Sequence, residues 1–369
     1  MSQATEQPGT LMRPPRRRWR SLGALAVGAS ALLAACGGAA AAAHPAGHRA
    51  HGSGAGGAVP LVVYSAQGYD ANTVAAFQKA TGIPTLLVDD STGPLLARIQ
   101  AERNNPQWGV LWVDGNQPFA ALDLQHLLLR GFEPPAAWST VAQTVIPPDH
   151  SYIPTGLTMA AALVYNSAKL RTPPTTWQQL LEPRYRGLLG MNNPAISGPT
   201  YPFVAGMMSA VGGVQPGERF FRRLKANGLQ VFPTNGDSLH ALQIGQIDMA
   251  AIQSSAIFGA IQADPRLKVV FPKPVTLLPG NIGIDANASS RVIAEAKRFA
   301  EFVLSPAGQH QMQAGDPHGD SLFWPVLRGE QPNPGIPAMT SIAYQTINPY
   351  WWGPREGVLN QWFTTTIAG

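Results

Sequence analysis

Four short stretches of the chain combine hydroxyl or amide side chains with glycine or serine at places where a strand gives way to a helix. They are Ser65-Ala66-Gln67-Gly68, Ser91-Thr92-Gly93, Ser197-Gly198-Pro199-Thr200-Tyr201 and Asn235-Gly236-Asp237-Ser238. The first turn of a helix carries unpaired backbone N–H groups and the positive end of the helix dipole, so several such starts aimed at one point favour an anion. The stretch from Ser197 is the strongest of the four, because Gly198 has no side chain to hold a ligand away from the backbone. The simpler reading is that these serines, threonines and asparagines cap their own helices. Trp112 and Asp114 stand at another strand end. A carboxylate there would pair with an ammonium group if it faced the same point; otherwise Asp114 caps a helix or turn elsewhere.

Covalent or acid–base catalysis has little to stand on. The sequence contains no GxSxG elbow, no HExxH helix, no phosphate-binding P-loop and no CxxC pair. His126, His150, His240, His310 and His318 lie far apart, with no nucleophile beside them. An enzyme is not expected, nor a cofactor. Charge also argues against nucleic acid as a partner. Of 26 basic and 21 acidic residues, five arginines and Glu6 precede Cys36, which leaves 21 against 20 beyond it. The cluster Arg219, Arg222, Arg223 and Lys225 reads as one solvated helix face.

The elements that must position these groups alternate. Leu61 to Tyr64, Thr85 to Val88 and Val110 to Val113 are short apolar strands. Between them run one helix with Val74, Phe77 and Ala80 on a face, stopped by Gly82, and another with Leu95, Leu96 and Ile99. A βαβαβ order implies a parallel sheet whose ligands sit at the carboxyl ends of the strands. Further strands are expected at Ala161 to Tyr165, Gly187 to Met191, Leu229 to Phe232, Asp248 to Ile252 and Leu267 to Phe271, with helices starting near Ser197, Pro216 and Ser238. The cluster Tyr350-Trp351-Trp352 with Trp362 reads as a packed C-terminal helix. The ~310 residues after Val59 exceed one ordinary core and suggest two lobes.

The N-terminus has its own logic. Arg13, Arg16, Arg17, Arg18 and Arg20 precede an apolar run from Leu22 to Ala35, which ends in Leu33-Ala34-Ala35-Cys36. Such a run is shorter than the roughly 20 residues needed to span a bilayer and reads as an export signal. Leu-Ala-Ala-Cys resembles the bacterial lipobox, so Cys36, the only cysteine, is the expected lipidation site. Residues 1–35 are then a lipoprotein signal peptide and residues 36–58 a flexible tether rich in Gly, Ala and His.

A family resemblance runs through the rest. Val63-Tyr64-Ser65-Ala66, the run from Asn105 to Gly115, Val164-Tyr165-Asn166, Trp177 to Leu181, Pro183-Arg184-Tyr185-Arg186-Gly187, Ser197 to Tyr201 and Ala296 to Gln311 occur in the order seen in the extracellular solute-binding proteins of ferric-ion and phosphonate ABC importers. The resemblance implies an α/β, two-lobed type 2 periplasmic-binding fold, with the chain crossing between lobes near Thr155 to Met159 and again near Gly280 to Ile284. Residues 59–155 and 285–369 would form lobe one and residues 156–284 lobe two. It implies a monomer that captures a small anionic solute of phosphonate or phosphate-ester type and delivers it to an ABC permease. The expected contacts are Ser65, Gln67, Ser91, Thr92, Trp112 and Asp114 from lobe one, with Ser197, Gly198, Thr200, Tyr201, Asn235, Ser238, Gln253 and Ser254 from lobe two. Ferric relatives use adjacent tyrosines where this chain reads Gln253-Ser254-Ser255-Ala256, so no metal site is expected. Ferric-ion binding and a sensing role without transport remain the alternative readings.

Overall fold

The computed structural model describes residues 59–369; the expected signal peptide, tether and Cys36 lie outside these residues. Apolar and β-branched runs form short strands, and the chain order β1 (Leu61–Ser65), β2 (Thr85–Asp89), β3 (Val110–Asp114), β4 (Ile153–Met159) begins one sheet. A second sheet follows with β5 (Ala162–Asn166), β6 (Leu189–Asn192), β7 (Gln230–Phe232), β8 (Met249–Ile252) and β9 (Leu267–Val270). The chain then returns to the first sheet with β10 (Val275–Ile284), β11 (Trp324–Pro325) and β12 (Tyr344–Gln345).

In the larger sheet β1 pairs in parallel with β2 and β3, as the crossover helices Asp70–Thr81 and Thr92–Ala101 require. Gly82 ends the first of these helices in the left-handed conformation, φ 71°, where a glycine costs nothing. The order β11-β4-β10-β3-β1-β2 then turns antiparallel at β10. The smaller sheet runs β7-β6-β8-β5-β9, parallel through β7, β6 and β8. The expected crossings fall on β4 and β10, which are paired antiparallel within the larger sheet, and the chain passes between sheets just after β4 and just before β10. A buried aromatic group of Phe77, Phe299, Trp112 and Tyr69 fills the larger lobe behind β3.

The last stretch differs from the expected single helix. Gly353-Pro354 breaks it into the short helices Pro349–Trp352 and Glu356–Phe363, joined by a 3-10 turn. This C-terminal strap touches both lobes. The Tyr350 hydroxyl lies 3.1 Å from Asp123 Oδ2 on lobe one. On lobe two, the Tyr201 hydroxyl donates to the Trp352 carbonyl at 2.6 Å, and Phe363 packs edge-on against Phe221 at 5.5 Å. The basic cluster is thus more than a solvated face: Lys225 donates to the Thr366 and Gly369 carbonyls, and Arg222 stacks over Trp362.

Candidate functional site

Strand ends from both sheets converge on Asp114, the last residue of β3. Gln67, in the loop after β1, donates to Asp114 Oδ1 at 3.1 Å, and Gln253, after β8, donates to Oδ2 at 3.1 Å. The two amides belong to opposite lobes, so the carboxylate sits where the lobes meet. Neither bond is a helix cap, and the capping role considered for Asp114 gives way to a place in the cleft. Both amides are held from behind. The Tyr69 hydroxyl donates to Gln67 Oε1 at 2.6 Å, and Asn235 Nδ2 donates to Gln253 Oε1 at 3.4 Å, which turns each Nε2 toward Asp114.

A second carboxylate repeats the arrangement. Asp320 accepts from the Gly68 N–H of lobe one at 2.9 Å and from the Ser255 hydroxyl of lobe two at 3.3 Å. Neither Asp114 nor Asp320 has an ion-pair partner among the described residues. Burial and the nearby charge of Asp320 push Asp114 up to about 7, against the pull of the Gln67 and Gln253 hydrogen bonds. Burial also raises Asp320. Tyr69, wholly buried beside these carboxylates, is pushed well above the usual phenol range by burial and by their charge.

From Gln253 the hydrogen bonds continue into lobe two. Asn192, the last residue of β6, donates to Asn235 Oδ1 at 2.6 Å and to Ser197 Oγ at 3.2 Å, while Ser238 donates to Asn192 Oδ1 at 2.7 Å. Asn235 and Ser238 are not caps. Thr234 and Asp237 form the capping box of the helix Asn235–Gln243, which leaves Asn235 and Ser238 facing the network. The helices Thr200–Ala210, Asn235–Gln243 and Ser254–Ala263 all start beside this network, shortly after β6, β7 and β8.

The remaining expected contacts take several different places. Thr92 and Gly198 meet at a direct interlobe contact, where a Cβ on Gly198 would collide with the Thr92 hydroxyl and one on Gly93 with the Ala195 carbonyl, while Ser91 takes the N-cap position of the helix Thr92–Ala101 without a side-chain cap bond. Ser65 and Ser254 are structural supports: Ser65 Oγ accepts from the Gln67 N–H, and Ser254 Oγ accepts from the Met159 N–H at the end of β4. Trp112 and Tyr201 face away. The Trp112 indole donates to Thr155 at 3.0 Å inside lobe one, and Tyr201 holds the C-terminal strap. Thr200 is buried at the first turn of its helix, its N–H bonded to the Ser197 carbonyl. Asp320, Tyr69, Asn192 and Ser255 join the site without having been singled out. Asn192 was within reach as the polar end of a buried strand, whereas Asp320 lies in an irregular loop that no periodicity marks.

The profile of the family described as "Bacterial extracellular solute-binding protein" matches residues 72–337. The chain belongs to this family. Its solute-binding relatives include a Salmonella paratyphi A protein named "Putative 2-aminoethylphosphonate-binding periplasmic protein", 25% identical over 63% of this chain and 68% of that one. A Salmonella typhimurium protein of the same name is 24% identical over the same shares. Among solved structures, the periplasmic binding protein P5PA aligns with a TM-score of 0.72 at 21% identity, covering 84% of this chain and 99% of that one. AfuA from Actinobacillus pleuropneumoniae, with fructose-6-phosphate bound, aligns at 0.72 and 19% identity over 82% and 97%. These neighbours share the two-lobed type 2 periplasmic-binding fold, and this solute-binding protein is the extracytoplasmic capture component of an ABC importer.

Proposed function

We propose that the solute is a zwitterion of the aminoalkylphosphonate class, with its ammonium group held by lobe one and its phosphonate by lobe two. The observation that carries this reading is the buried Asp114 carboxylate, bridged by Gln67 and Gln253 across the lobes with no cation beside it. Burying an unpaired carboxylate is costly, and an ammonium ligand would supply the missing charge. Three helix starts and the amides of Asn192 and Asn235 on the opposite wall suit the anionic end. The names of the Salmonella relatives point the same way. Ferric ion fits this wall poorly: Tyr69 would have to ionise beside two carboxylates, and the Tyr64 and Tyr201 hydroxyls are bonded to Glu102 and to the Trp352 carbonyl.

Calorimetric titration with 2-aminoethylphosphonate, ethylphosphonate, a phosphate monoester and a diamine tests the assignment. The aminophosphonate is expected to bind at least tenfold more tightly than the other three. Equal binding of ethylphosphonate would overturn the role of the carboxylates, and preference for the diamine would overturn the anion site. At 100 times its Kd the true ligand stabilises the protein by about 2.7 kcal/mol, readable as a thermal shift. The mature protein is also proposed to begin at a lipid-bearing Cys36 and to act as a monomer that delivers its ligand to a permease. Cys36→Ala is expected to release it from membranes into the soluble fraction; a variant that stays membrane-bound would refute the anchor.

A further inference from the structure

Beside the interlobe contact of Gly93 with Ala195, and without a lining residue in common with the Asp114 and Asp320 carboxylates, the C-terminal strap closes over a groove of about 710 Å³, a size that accommodates a small organic molecule. One wall is the apolar face made by Leu96, Ala97, Ala121 and Leu122 from the lobe-one helices Thr92–Ala101 and Gln117–Asp123, and Ala195 of lobe two forms one end. The strap contributes the one charged side chain of the groove, Glu356, while the amides of Gln100, Gln125, Asn360 and Gln361 also line it. Glu356 has no ion-pair partner among the described residues, and no lysine or arginine lines the groove. The neighbouring Arg355 is engaged elsewhere, its guanidinium 3.8 Å from the centre of the Trp351 ring and hydrogen-bonded to the Trp351 carbonyl. Asn360, one turn along from Glu356, has a buried Oδ1 with no hydrogen-bond donor.

We propose that this groove is a second ligand site, for a small organic cation with an apolar body whose ammonium group lies against the Glu356 carboxylate of the strap. Charge complementarity selects the cation, because the groove offers the Glu356 carboxylate and, among the described residues, no positive group. The apolar wall selects the body, because burying a hydrocarbon chain there removes it from water at roughly 25 cal/mol per Å². The surroundings of Glu356 agree: burial pushes its carboxyl up to about 8, as expected of an acid lacking a counter-charge. A cation bound beside it would return it to the ionised form.

The test is calorimetric titration of the full mature protein with n-hexylammonium and with 1-hexanol, which has the same chain and no charge. The ammonium is expected to bind at least tenfold more tightly, and Glu356→Gln should erase that difference while leaving 2-aminoethylphosphonate binding in the cleft unchanged. Ala97→Phe, on an exposed helix face, should block both probes by filling the groove, and it keeps the site testable if the Glu356 variant folds poorly. Equal affinity for hexylammonium and hexanol, or hexylammonium binding that survives Ala97→Phe and disappears with Asp114→Asn, would overturn the proposal.

Discussion

Lobe one meets the cleft with two carboxylates, Asp114 and Asp320, whereas lobe two meets it with amides, hydroxyls and the starts of three helices. The first wall is negative and partly stripped of water; the second is neutral in formal charge but presents the positive ends of helix dipoles. Each carboxylate is bridged by one donor from each lobe, so the atoms proposed to recognise a ligand also hold the lobes together. A ligand favours closure only through contacts that the open state lacks. On the proposed reading, the asymmetry separates two jobs: lobe one chooses the cation, and lobe two chooses the anion.

Removing the charge of one wall should have the largest effect. Asp114→Asn keeps the shape but deletes the ammonium partner and turns one of the two acceptor oxygens into an NH2 group facing a glutamine donor, and loss of a buried charge partner costs about 2–5 kcal/mol. Affinity for 2-aminoethylphosphonate should fall at least about thirtyfold while that for ethylphosphonate holds or improves. A uniform loss for both ligands in calorimetry would mean that Asp114 serves closure alone.

Blocking the meeting of the walls comes next. Gly198→Val places a branched side chain against Thr92 of the other lobe. Affinity should drop about tenfold or more for every cleft ligand, with little change in the melting temperature of the free protein. Unchanged affinity would show that the Thr92–Gly198 contact is not part of the bound state.

The smallest effect is read through pH. Asp114 is raised to about 7 and Asp70 to about 6, both chiefly by burial. A carboxyl with a raised folded pKa binds its proton more tightly in the native state, so its contribution is full below its ordinary value near 4 and is lost as pH rises through the folded value. The free protein should therefore melt at a lower temperature at pH 8 than at pH 5. Asp114→Asn should flatten that slope, and saturating 2-aminoethylphosphonate should do the same in the unmodified protein. A free protein that grows more stable from pH 5 to pH 8 would contradict an unpaired Asp114.

Much of the framework was legible in the chain. Strands β1 to β3 and β5 to β9 fall within two residues of their expected places, because short buried runs of Val, Leu and Ile have few alternatives between polar loops, whereas β4, β10, β11 and β12 were not expected as strands. The helix start after β7 illustrates the limit. Asn235 and Ser238 stood out by type, but whether they cap the helix or face a neighbour depended on Thr234 and Asp237 forming the cap. Trp112 and Tyr201 had suitable chemistry but pack elsewhere: Trp112 shares a face of β3 with Asp114 yet lies two residues further inside the lobe against Tyr69 and Phe299, and Tyr201, on the helix Thr200–Ala210, turns its hydroxyl to the Trp352 carbonyl.

By itself, the sequence determined the α/β alternation, the order of elements that carries the family likeness, and the loops at strand ends where a ligand belongs. These depend on local periodicity and on residues close together in the chain. The tertiary structure alone decided that Asp114, Gln253 and Asp320, separated by more than sixty residues at each step, share one boundary, and that the last twenty residues bind to both lobes. Those placements follow from which sheet edges pair and which surfaces bury each other, and such long-range choices leave no spacing for a reader of the chain to find.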